Sequence, residues 1–425
     1  MLISQQRKLE TLCEQLRAAP PIALDTEFIR ERRYFPRLCL VQARAGSGDT
    51  AVEALIDPFE VDLKPLLELV ADESLVKIVH AGGQDLQIFY QIYGCEAKHV
   101  FDTQIAAAFL GYGHQPGYID LVTRALGATG LSKGSQYTDW AARPLAPEQI
   151  DYALADVQYL PALYTTLRAD LVARGRLPWA QAEFRRAEAR ARMTTPPEEI
   201  YSRLNTSGLS RRQLGALREL AAARDQIASS IDKPVGYVLP DQVMIQMAKQ
   251  PPGNPAALRA MRGMPAGVGE YAGELIAALQ RAARLPASEM PISTATERID
   301  PRAANVASLM GVITQARALQ NGIARTYLAT GDQLTALADW WLRRARGGSQ
   351  ELPDIPLMSD WRFELLGKEL LELLEGKLAV ALKTPPDLSR SNQISIRVLS
   401  ITPGVADEHS ISGAGLETEE THGVE

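Results

Sequence analysis

A Pro-rich break at residues 194–199, with the sequence TTPPEE, separates two parts of the chain that have different hydrophobic patterns. Before the break, short β-type runs alternate with helical patterns, an order typical of a sheet covered by helices. After the break the strand signals stop, and apolar residues recur at helical spacing. The break therefore predicts an α/β domain over residues 1–193, followed by an all-α region.

The order of elements in the first part predicts one mixed sheet. Three short runs rich in Val, Ile, Leu and Phe come first, and they read PIALDTEF, RLCLVQARA and AVEALID. The pattern then predicts a helix at 62–72, a strand at 75–81, a helix at 85–94 and a short strand at 98–103, with helices from 105 to about 191. The resulting order, β-β-β-α-β-α-β-α, fits a sheet flanked by helices.

The second part predicts two helical modules and a tail. Residues 209–285 form the first helical module and residues 302–383 form the second. The two modules share a weak sequence similarity, which suggests a duplication. Linkers are expected at 194–208 and 286–301. From residue 384 to 425 the chain is polar and then acidic, a composition typical of disorder.

Composition excludes several classes of protein. With 46% apolar and 23% charged residues, the chain is neither collagen-like nor wholly disordered. It has no apolar run near 18 residues and no apolar signal core at its N-terminus, so we expect no membrane span and a cytoplasmic location. Its three cysteines have neither zinc nor disulfide spacing. The net charge of −6 argues against nucleic acid, but residues 168–224 carry 12 Arg against 6 acids, which keeps nucleic-acid binding open.

Two acids end the first predicted strand. Asp25 and Glu27 are two residues apart, so strand alternation places them on one face. Adjacent carboxylates repel each other unless a cation joins them, and their hard oxygen atoms suit Mg²⁺ or Mn²⁺. A pair of solvated acids at a strand end is the alternative for this motif alone.

Three further residues extend this pattern. Asp85 follows a Gly-Gly turn and starts a helix, where an acid is also a common helix partner. Tyr152 and Asp156 lie four residues apart and so share one helix face, although an isolated Tyr–Asp surface pair is equally ordinary. In combination, four carboxylates and one phenol stand at the ends of elements that a sheet and its helices can bring together. Four such acids can hold two divalent cations for phosphoryl displacement.

This combination resembles the DEDD exonuclease superfamily in its Tyr-containing branch, and the wider sequence resembles the ribonuclease D family. The blocks that carry the resemblance are ALDTEFIRERRYFPRLCLVQ, KIVHAGGQDLQIF, FDTQIAAAFLGYG, TDWAARPL and YALADVQYLPALY. The first helical module resembles the helicase-and-RNase-D C-terminal (HRDC) domain, and the second resembles a degenerate copy of it. The implied fold is an α/β ribonuclease-H-like mixed sheet flanked by helices, followed by two all-α HRDC-like helical modules.

The resemblance also implies an activity, which is 3′→5′ exoribonuclease hydrolysis that releases 5′-nucleotides from RNA, with tRNA precursors as the family's substrate. By that resemblance two divalent cations, Mg²⁺ or Mn²⁺, are bound by Asp25, Glu27, Asp85 and Asp156. Asp25 is shared by both cations, Glu27 and Asp156 complete one site, and Asp85 serves the other. Tyr152 orients the attacking water. A monomer is the default expectation, because a modular nuclease of this kind needs no dimer.

Six further residues are candidates for RNA contact. Phe28 follows the acidic pair and can stack on a terminal base, or it can be a core aromatic. His80 can touch a phosphate or a sugar, or it can be structural. Basic side chains that can grip phosphates are Lys133, Arg143, Arg211 and Arg212.

Two other functions remain open from the sequence. A DNA-directed 3′–5′ exonuclease would carry the same motifs, although the helical modules and the lack of a P-loop motor motif favour RNA. An inactive RNA-binding scaffold would have no need for an intact set of four acids, which is costly to bring together.

Overall fold

The computed structural model describes residues 1–46, 48–129, 138–291, 299–383 and 395–400. The chain forms two compact units, one made of Met1–Pro301 with Ala318–Tyr327 and the other of Arg302–Arg317 with Leu328–Glu425. Within the described ranges, no helix combines the length and the apolar character that crossing a membrane requires.

A six-stranded mixed sheet forms the centre of the first unit. Its strands are β1 (Leu2–Ile3), β2 (Ile22–Ile29), β3 (Arg37–Ala45), β4 (Val52–Ile56), β5 (Lys77–Val79) and β6 (Val100–Asp102). Their order across the sheet is β1-β4-β3-β2-β5-β6. The β2–β3 and β3–β4 pairs are antiparallel, and the β1–β4, β2–β5 and β5–β6 pairs are parallel. The predicted mixed sheet is confirmed, with β1 as an additional short edge strand.

Helices cover both faces of this sheet. They are α1 (Gln6–Ala18), α2 (Lys64–Ala71), α3 (Gly83–Tyr93), α4 (Thr103–Ala108), α5 (Tyr118–Leu126), α6 (Pro147–Gln158), α7 (Leu160–Ala173) and α8 (Leu177–Ala191). Leu40 of β3 belongs to the same buried cluster as Ala153 of α6, whereas its neighbour Val41 belongs to the cluster that contains Leu9 of α1. Because successive strand residues point to opposite faces, α6 and α1 lie on opposite sides of the sheet.

A β-bulge interrupts the pairing of β2 with β3. Glu27 pairs with Leu40, but the next residue, Phe28, pairs with Leu38, so Cys39 is the extra residue. Bulges of this kind bend a strand and change the direction of its side chains, and they are frequent beside active sites.

The first helical module also belongs to the first unit. Its helices are α9 (Arg211–Ser230), α10 (Val235–Val238), α11 (Asp241–Lys249), α12 (Pro255–Arg259) and α13 (Ala272–Arg284). Ser210 begins α9 with a capping box, in which its hydroxyl accepts from the backbone N–H of Gln213 and the Gln213 side chain accepts from the backbone N–H of Ser210. The buried Arg224 pairs with Asp241 at 2.5 Å, which fixes α9 against the start of α11.

Residues 302–383 are mainly helical and end in a strand. The helices are α14 (Ala303–Asn321), α15 (Arg325–Leu328), α16 (Gly331–Arg344), α17 (Asp360–Arg362) and α18 (Lys368–Leu374), and two strands follow, β7 (Leu378–Lys383) and β8 (Ser395–Ser400). The two strands pair antiparallel, with Leu378 opposite Ser400. The described part of the segment expected to be disordered is therefore a strand. The first four residues of this strand, SIRV, alternate polar and apolar side chains as strands do.

Candidate active site

Strand β2 presents Asp25 and Glu27 on the face of the sheet that α6 covers. In the register with β3, Asp25 lies opposite Gln42 and Glu27 lies opposite Leu40. Leu40 in turn shares a buried cluster with Ala153 of α6. Directly opposite residues share a face, so both acids point toward α6 and are half-buried there.

Helix α6 adds Asp156 and Tyr152 to the same place. One carboxylate oxygen from each of Asp25, Glu27 and Asp156 can be chosen so that all three atoms lie within 4.8 Å of one another. The Tyr152 hydroxyl donates a hydrogen bond to Asp156, one helical turn away. The Tyr152 ring packs against the buried ring of Trp140 with centroids 6.0 Å apart. Residues that are more than 120 positions apart in sequence thus converge on one cluster.

Asp85 approaches from the other side of β2. It lies in the first turn of α3, is buried, and accepts a hydrogen bond from the hydroxyl of Thr26. Thr26 stands between the two acids of the strand and therefore points away from them. Asp85 lies outside the group of three carboxylates described above, but its charge raises the pKa of Asp25.

The turn before Asp85 is held by a second buried acid. The carboxylate of Asp102 accepts from the backbone N–H groups of Ala81 and Gly82, at 3.2 and 3.1 Å, and it also caps α4. A Cβ at Gly82 would lie 2.5 Å from Val79 Cγ2, so only glycine fits the turn without a shift. Asp102 therefore positions the start of α3.

The three clustered acids and Asp85 all have raised pKa values. Burial raises the pKa of Asp25 well above its ordinary value, and the charges of Asp85, Asp156 and Glu27 raise it further. Burial, followed by Asp156 and Asp85, raises the pKa of Glu27 to about 8. Burial raises the pKa values of Asp85 and Asp156 to about 6, although the hydrogen bonds from Thr26 and Tyr152 act in the opposite direction. Ionisation of these carboxyl groups is therefore unfavourable when no cation is bound.

This donor set fits divalent cations. Its ligand atoms are hard carboxylate oxygens, which suit Mg²⁺ and Mn²⁺. Burial and the charges of neighbouring acids raise the pKa values of Asp25 and Glu27, and a bound cation would offset both effects. Tyr152 is suited to a different task. Burial, and then the charge of Asp156, raise the pKa of the phenol above its ordinary value. The phenol therefore stays protonated at neutral pH and acts as a hydrogen-bond donor.

Of the candidate RNA contacts, Phe28 and His80 lie near the cluster in partly buried positions. Phe28 packs against the core of the sheet domain. His80 Nδ1 lies 2.9 Å from the hydroxyl of Thr103, and burial lowers the pKa of His80 to about 4. The imidazole is therefore neutral at physiological pH and offers no charge to a phosphate. Lys133 lies outside the described residues.

The contacts of Arg143 differ from the sequence expectation that this side chain binds a phosphate. Its guanidinium donates to both carboxylate oxygens of Asp57, at 2.5 and 2.9 Å, and to the carbonyls of Cys39, Trp140 and Ala142. These contacts use all five of its N–H donors. Arg143 is therefore a structural brace between β3, β4 and the segment before α6.

The two arginines at the start of α9 also have partners, at the end of α13 and in the segment that follows it. Arg211 donates to the carbonyls of Ala287 and Met290, at 2.8 and 3.0 Å. Arg212 donates to the carbonyl of Ala283 at 3.4 Å. Both side chains are exposed, so RNA contact by either stays a prediction.

Sequence reasoning missed three residues around the cluster. Thr26 orients Asp85, and its place between two acids on the opposite strand face was a usable signal. Tyr118 donates to the carbonyl of Ala155 and accepts from a backbone N–H at the end of α6, both at 3.0 Å, and no local pattern indicates this role. Gln42 is wholly buried opposite Asp25, and its amide has no hydrogen-bond partner among the described residues.

The sequence matches two known domain families. Residues 1–172 match the 3′–5′ exonuclease family, and residues 213–279 match the HRDC domain. The second match lies inside the range predicted for the first helical module.

Several full-length relatives carry the name ribonuclease D. The protein of Sphingobium indicum is 37% identical over 394 residues, which cover 90% of this chain and 96% of the relative. The protein of Granulibacter bethesdensis is 34% identical over 89% of this chain and 93% of its own length. The crystal structure of Escherichia coli RNase D, described as an exoribonuclease involved in structured RNA processing, has a TM-score of 0.76 and 33% identity, and the match covers 88% of this chain and 98% of that one.

Proposed function

This chain belongs to the ribonuclease D family of 3′–5′ exoribonucleases, and from that membership we propose that it shortens structured RNAs such as tRNA precursors at their 3′ ends by two-cation hydrolysis. Each cycle cleaves the terminal phosphodiester and releases a 5′-nucleotide. The carboxylate cluster of β2, α3 and α6 is the reaction centre in this proposal.

The convergence of Asp25, Glu27 and Asp156 within 4.8 Å supports the proposal most strongly. Three half-buried acids this close cost free energy in the absence of a cation. Asp85, whose charge acts on Asp25, provides the fourth carboxylate that a second cation needs. A protein that only bound RNA would gain nothing from this arrangement.

Each residue has a distinct proposed role. Asp25 would contact both cations, Glu27 and Asp156 would hold one, and Asp85 would hold the other. Two Mg²⁺ or Mn²⁺ ions, when bound, supply positive charge that activates water for attack and offsets negative charge on the leaving 3′ oxygen. Tyr152 donates its O–H to orient the water, because its raised pKa keeps it protonated. Thr26 and Asp102 hold Asp85 in place.

The choice of RNA rests on the named relatives. Several are called ribonucleases, and the Escherichia coli enzyme is described as acting in structured RNA processing. tRNA precursors are the structured RNAs with 3′ extensions that we propose as substrates. A monomeric state and a cytoplasmic location are also part of the proposal and rest on the sequence alone.

The test compares a 3′-extended tRNA precursor with a single-stranded DNA of equal length, each in Mg²⁺, Mn²⁺ or EDTA. Asp25→Asn removes a charge from the cluster. Asp151→Asn is the matched control, because Asp151 lies in the same helix as Tyr152 and is exposed. We expect stepwise shortening of the RNA, which is lost in EDTA and in Asp25→Asn but retained in Asp151→Asn.

Three other outcomes would contradict parts of the proposal. Shortening of DNA but not RNA would make the protein a DNA-directed exonuclease. RNA shortening that survives EDTA would exclude a cation-dependent centre. Binding of RNA without cleavage, unchanged in Asp25→Asn, would indicate a scaffold.

A further inference from the structure

The loop that joins β2 to β3, residues 30–36, is rich in arginine and follows directly after the acidic strand. Arg30 is three residues beyond Glu27, a distance of about 10 Å along an extended strand. Arg30, Arg32 and Arg33 are all exposed. Arg32 has a φ of 60°, so the loop turns sharply at that residue.

The first helical module holds this loop through one aspartate. Asp232 Oδ1 accepts hydrogen bonds from the backbone N–H groups of Tyr34 and Phe35, at 3.1 and 3.0 Å. The other oxygen of Asp232 pairs with the guanidinium of Arg33 at 2.5 Å. One side chain thus satisfies two backbone donors and one charge of a loop nearly 200 positions away in sequence.

A second aspartate of the same module holds the tip of the loop. The Tyr34 hydroxyl donates to Asp225 Oδ2 at 2.9 Å, and the Tyr34 ring packs against the apolar core of the first helical module. Burial and the bond to Asp225 raise the pKa of Tyr34 to about 12, so the phenol remains a donor. Tyr34 of the sheet domain therefore inserts its side chain into the first helical module.

The backbone at Asp232 is suited to this contact. Asp232 lies in the turn after α9 and has a φ of 50°. Asp and Asn adopt this left-handed conformation more readily than most side chains, and glycine adopts it freely. The turn therefore directs the carboxylate at the loop without a large backbone cost.

Three arginines of α9 differ from Arg30 and Arg32 of the loop, because they have hydrogen-bond partners within the chain. Arg211, Arg212 and Arg218 all donate to backbone carbonyls between residues 283 and 290, at the end of α13 and in the segment after it. Arg30 and Arg32, in contrast, form no ion pair or hydrogen bond with any residue that the structure describes. Arg30 and Arg32 are thus exposed cations in the loop that directly follows the acidic strand.

We propose that Asp232 and Asp225 are positioning residues, through which the first helical module fixes the β2–β3 loop so that Arg30 and Arg32 bind RNA phosphates next to the carboxylate cluster. This proposal rests on the exoribonuclease function above for its RNA substrate. It assigns the module a role inside the sheet domain: the module orders a cationic loop at the end of the strand that carries Asp25 and Glu27.

We call the contacts of Asp232 and Asp225 with the β2–β3 loop the clamp. Limited trypsin digestion tests the clamp without RNA, because trypsin cleaves after the three arginines of the loop. Asp232→Gly removes the carboxylate and suits the left-handed backbone, whereas Asp232→Asn keeps an acceptor for the two N–H groups. We expect cleavage after Arg30, Arg32 or Arg33 to be roughly ten-fold faster in Asp232→Gly, because two hydrogen bonds and an ion pair are lost. Asp232→Asn should be intermediate.

Glu219→Gln is the matched control. Glu219 lies in α9 and pairs with Arg218 and Arg281, so its loss weakens the module without touching the loop. It should leave the tryptic rate at the loop unchanged. Equal acceleration in Glu219→Gln and Asp232→Gly, or none in Asp232→Gly, would overturn the clamp.

Steady-state kinetics on a single-stranded RNA of about 20 nucleotides test the role of the loop in binding. Asp232→Gly should raise KM several-fold and leave kcat and Mn²⁺ affinity nearly unchanged. An Arg30→Gln and Arg32→Gln double variant should raise KM similarly and reduce the slope of log KM against log salt by about 1.4, since each phosphate contact in a single strand contributes about 0.7. Faster tryptic cleavage with an unchanged KM would overturn the RNA role of the loop. If the wild-type protein does not cleave RNA, the proposed function fails, while the tryptic comparison still tests the clamp.

Discussion

Replacing Glu27 by Gln is expected to stabilise the cation-free protein at neutral pH, although it removes a group from the candidate active site. Burial, and then the charges of Asp156 and Asp85, raise the pKa of Glu27 from its ordinary 4.5 to about 8. In the unfolded chain this carboxyl is in water and ionises near its ordinary value. The folded protein therefore keeps a proton that the unfolded chain releases between these two pH values.

The sign of the effect follows from proton linkage. Because the folded state binds the proton more tightly, the free energy of unfolding is highest below about pH 4.5 and decreases as pH rises toward about 8. The slope for one carboxyl is about 1.4 kcal/mol per pH unit. Between pH 5 and pH 7.5 this carboxyl alone lowers the free energy of unfolding by about 3 kcal/mol. Gln has no ionisable group, so this contribution to the free energy of unfolding does not decrease with pH in the variant.

Differential scanning calorimetry in EDTA at pH 5 and pH 7.5 measures the effect. The relevant transition is the one whose midpoint Mg²⁺ raises in the wild-type protein. A difference of about 3 kcal/mol corresponds to roughly 6–12 °C in a domain of this size. Glu27→Gln should therefore melt well above wild type at pH 7.5 and close to it at pH 5, and Glu14→Gln on the exposed side of α1 should match wild type at both. A Glu27→Gln variant that melts no higher than wild type at pH 7.5 would refute the reasoning.

Other substitutions test single contacts. Tyr152→Phe removes the O–H donor and should lower kcat by about 100-fold or more at nearly constant KM in RNA-shortening assays; unchanged kcat would exclude its role in orienting water. Arg143→Ala leaves Asp57, whose side chain is 3% exposed, without its cation, and should lower the free energy of unfolding by about 3 kcal/mol or more in denaturant titrations. It should leave RNA affinity unchanged, and a large loss of affinity would restore Arg143 as a phosphate ligand. Gly82→Ala brings a Cβ against Val79 and should displace the first turn of α3, so Mn²⁺ affinity measured by calorimetry should decrease about ten-fold; wild-type affinity would mean that the turn adapts.

The sequence predicted those parts of the site that depend on local periodicity. Strand alternation places Asp25 and Glu27 on one face, and helical spacing places Tyr152 and Asp156 together. The same periodicities predicted a mixed sheet and a helical region after residue 193. These rules act within one element, so they need no knowledge of which elements pack together.

The parts that were missed depend on pairing between distant segments. Nothing near Arg143 in the sequence indicates that Asp57, 86 positions away, uses its guanidinium. The bond from the hydroxyl of Tyr34 to Asp225 spans 191 positions and is equally invisible to local patterns. Strand β8 was missed for another reason, since a polar, acidic composition outweighed a short alternating run.

Crystals grown with Mn²⁺ and a 5′-mononucleotide, measured at the manganese absorption edge, test the carboxylate centre most directly. The predicted result is two anomalous peaks about 4 Å apart, with Asp25 contacting both, Glu27 and Asp156 at one and Asp85 at the other. Manganese bound elsewhere with this cluster empty, or one ion held without Asp25, would contradict a two-cation hydrolytic centre at these residues.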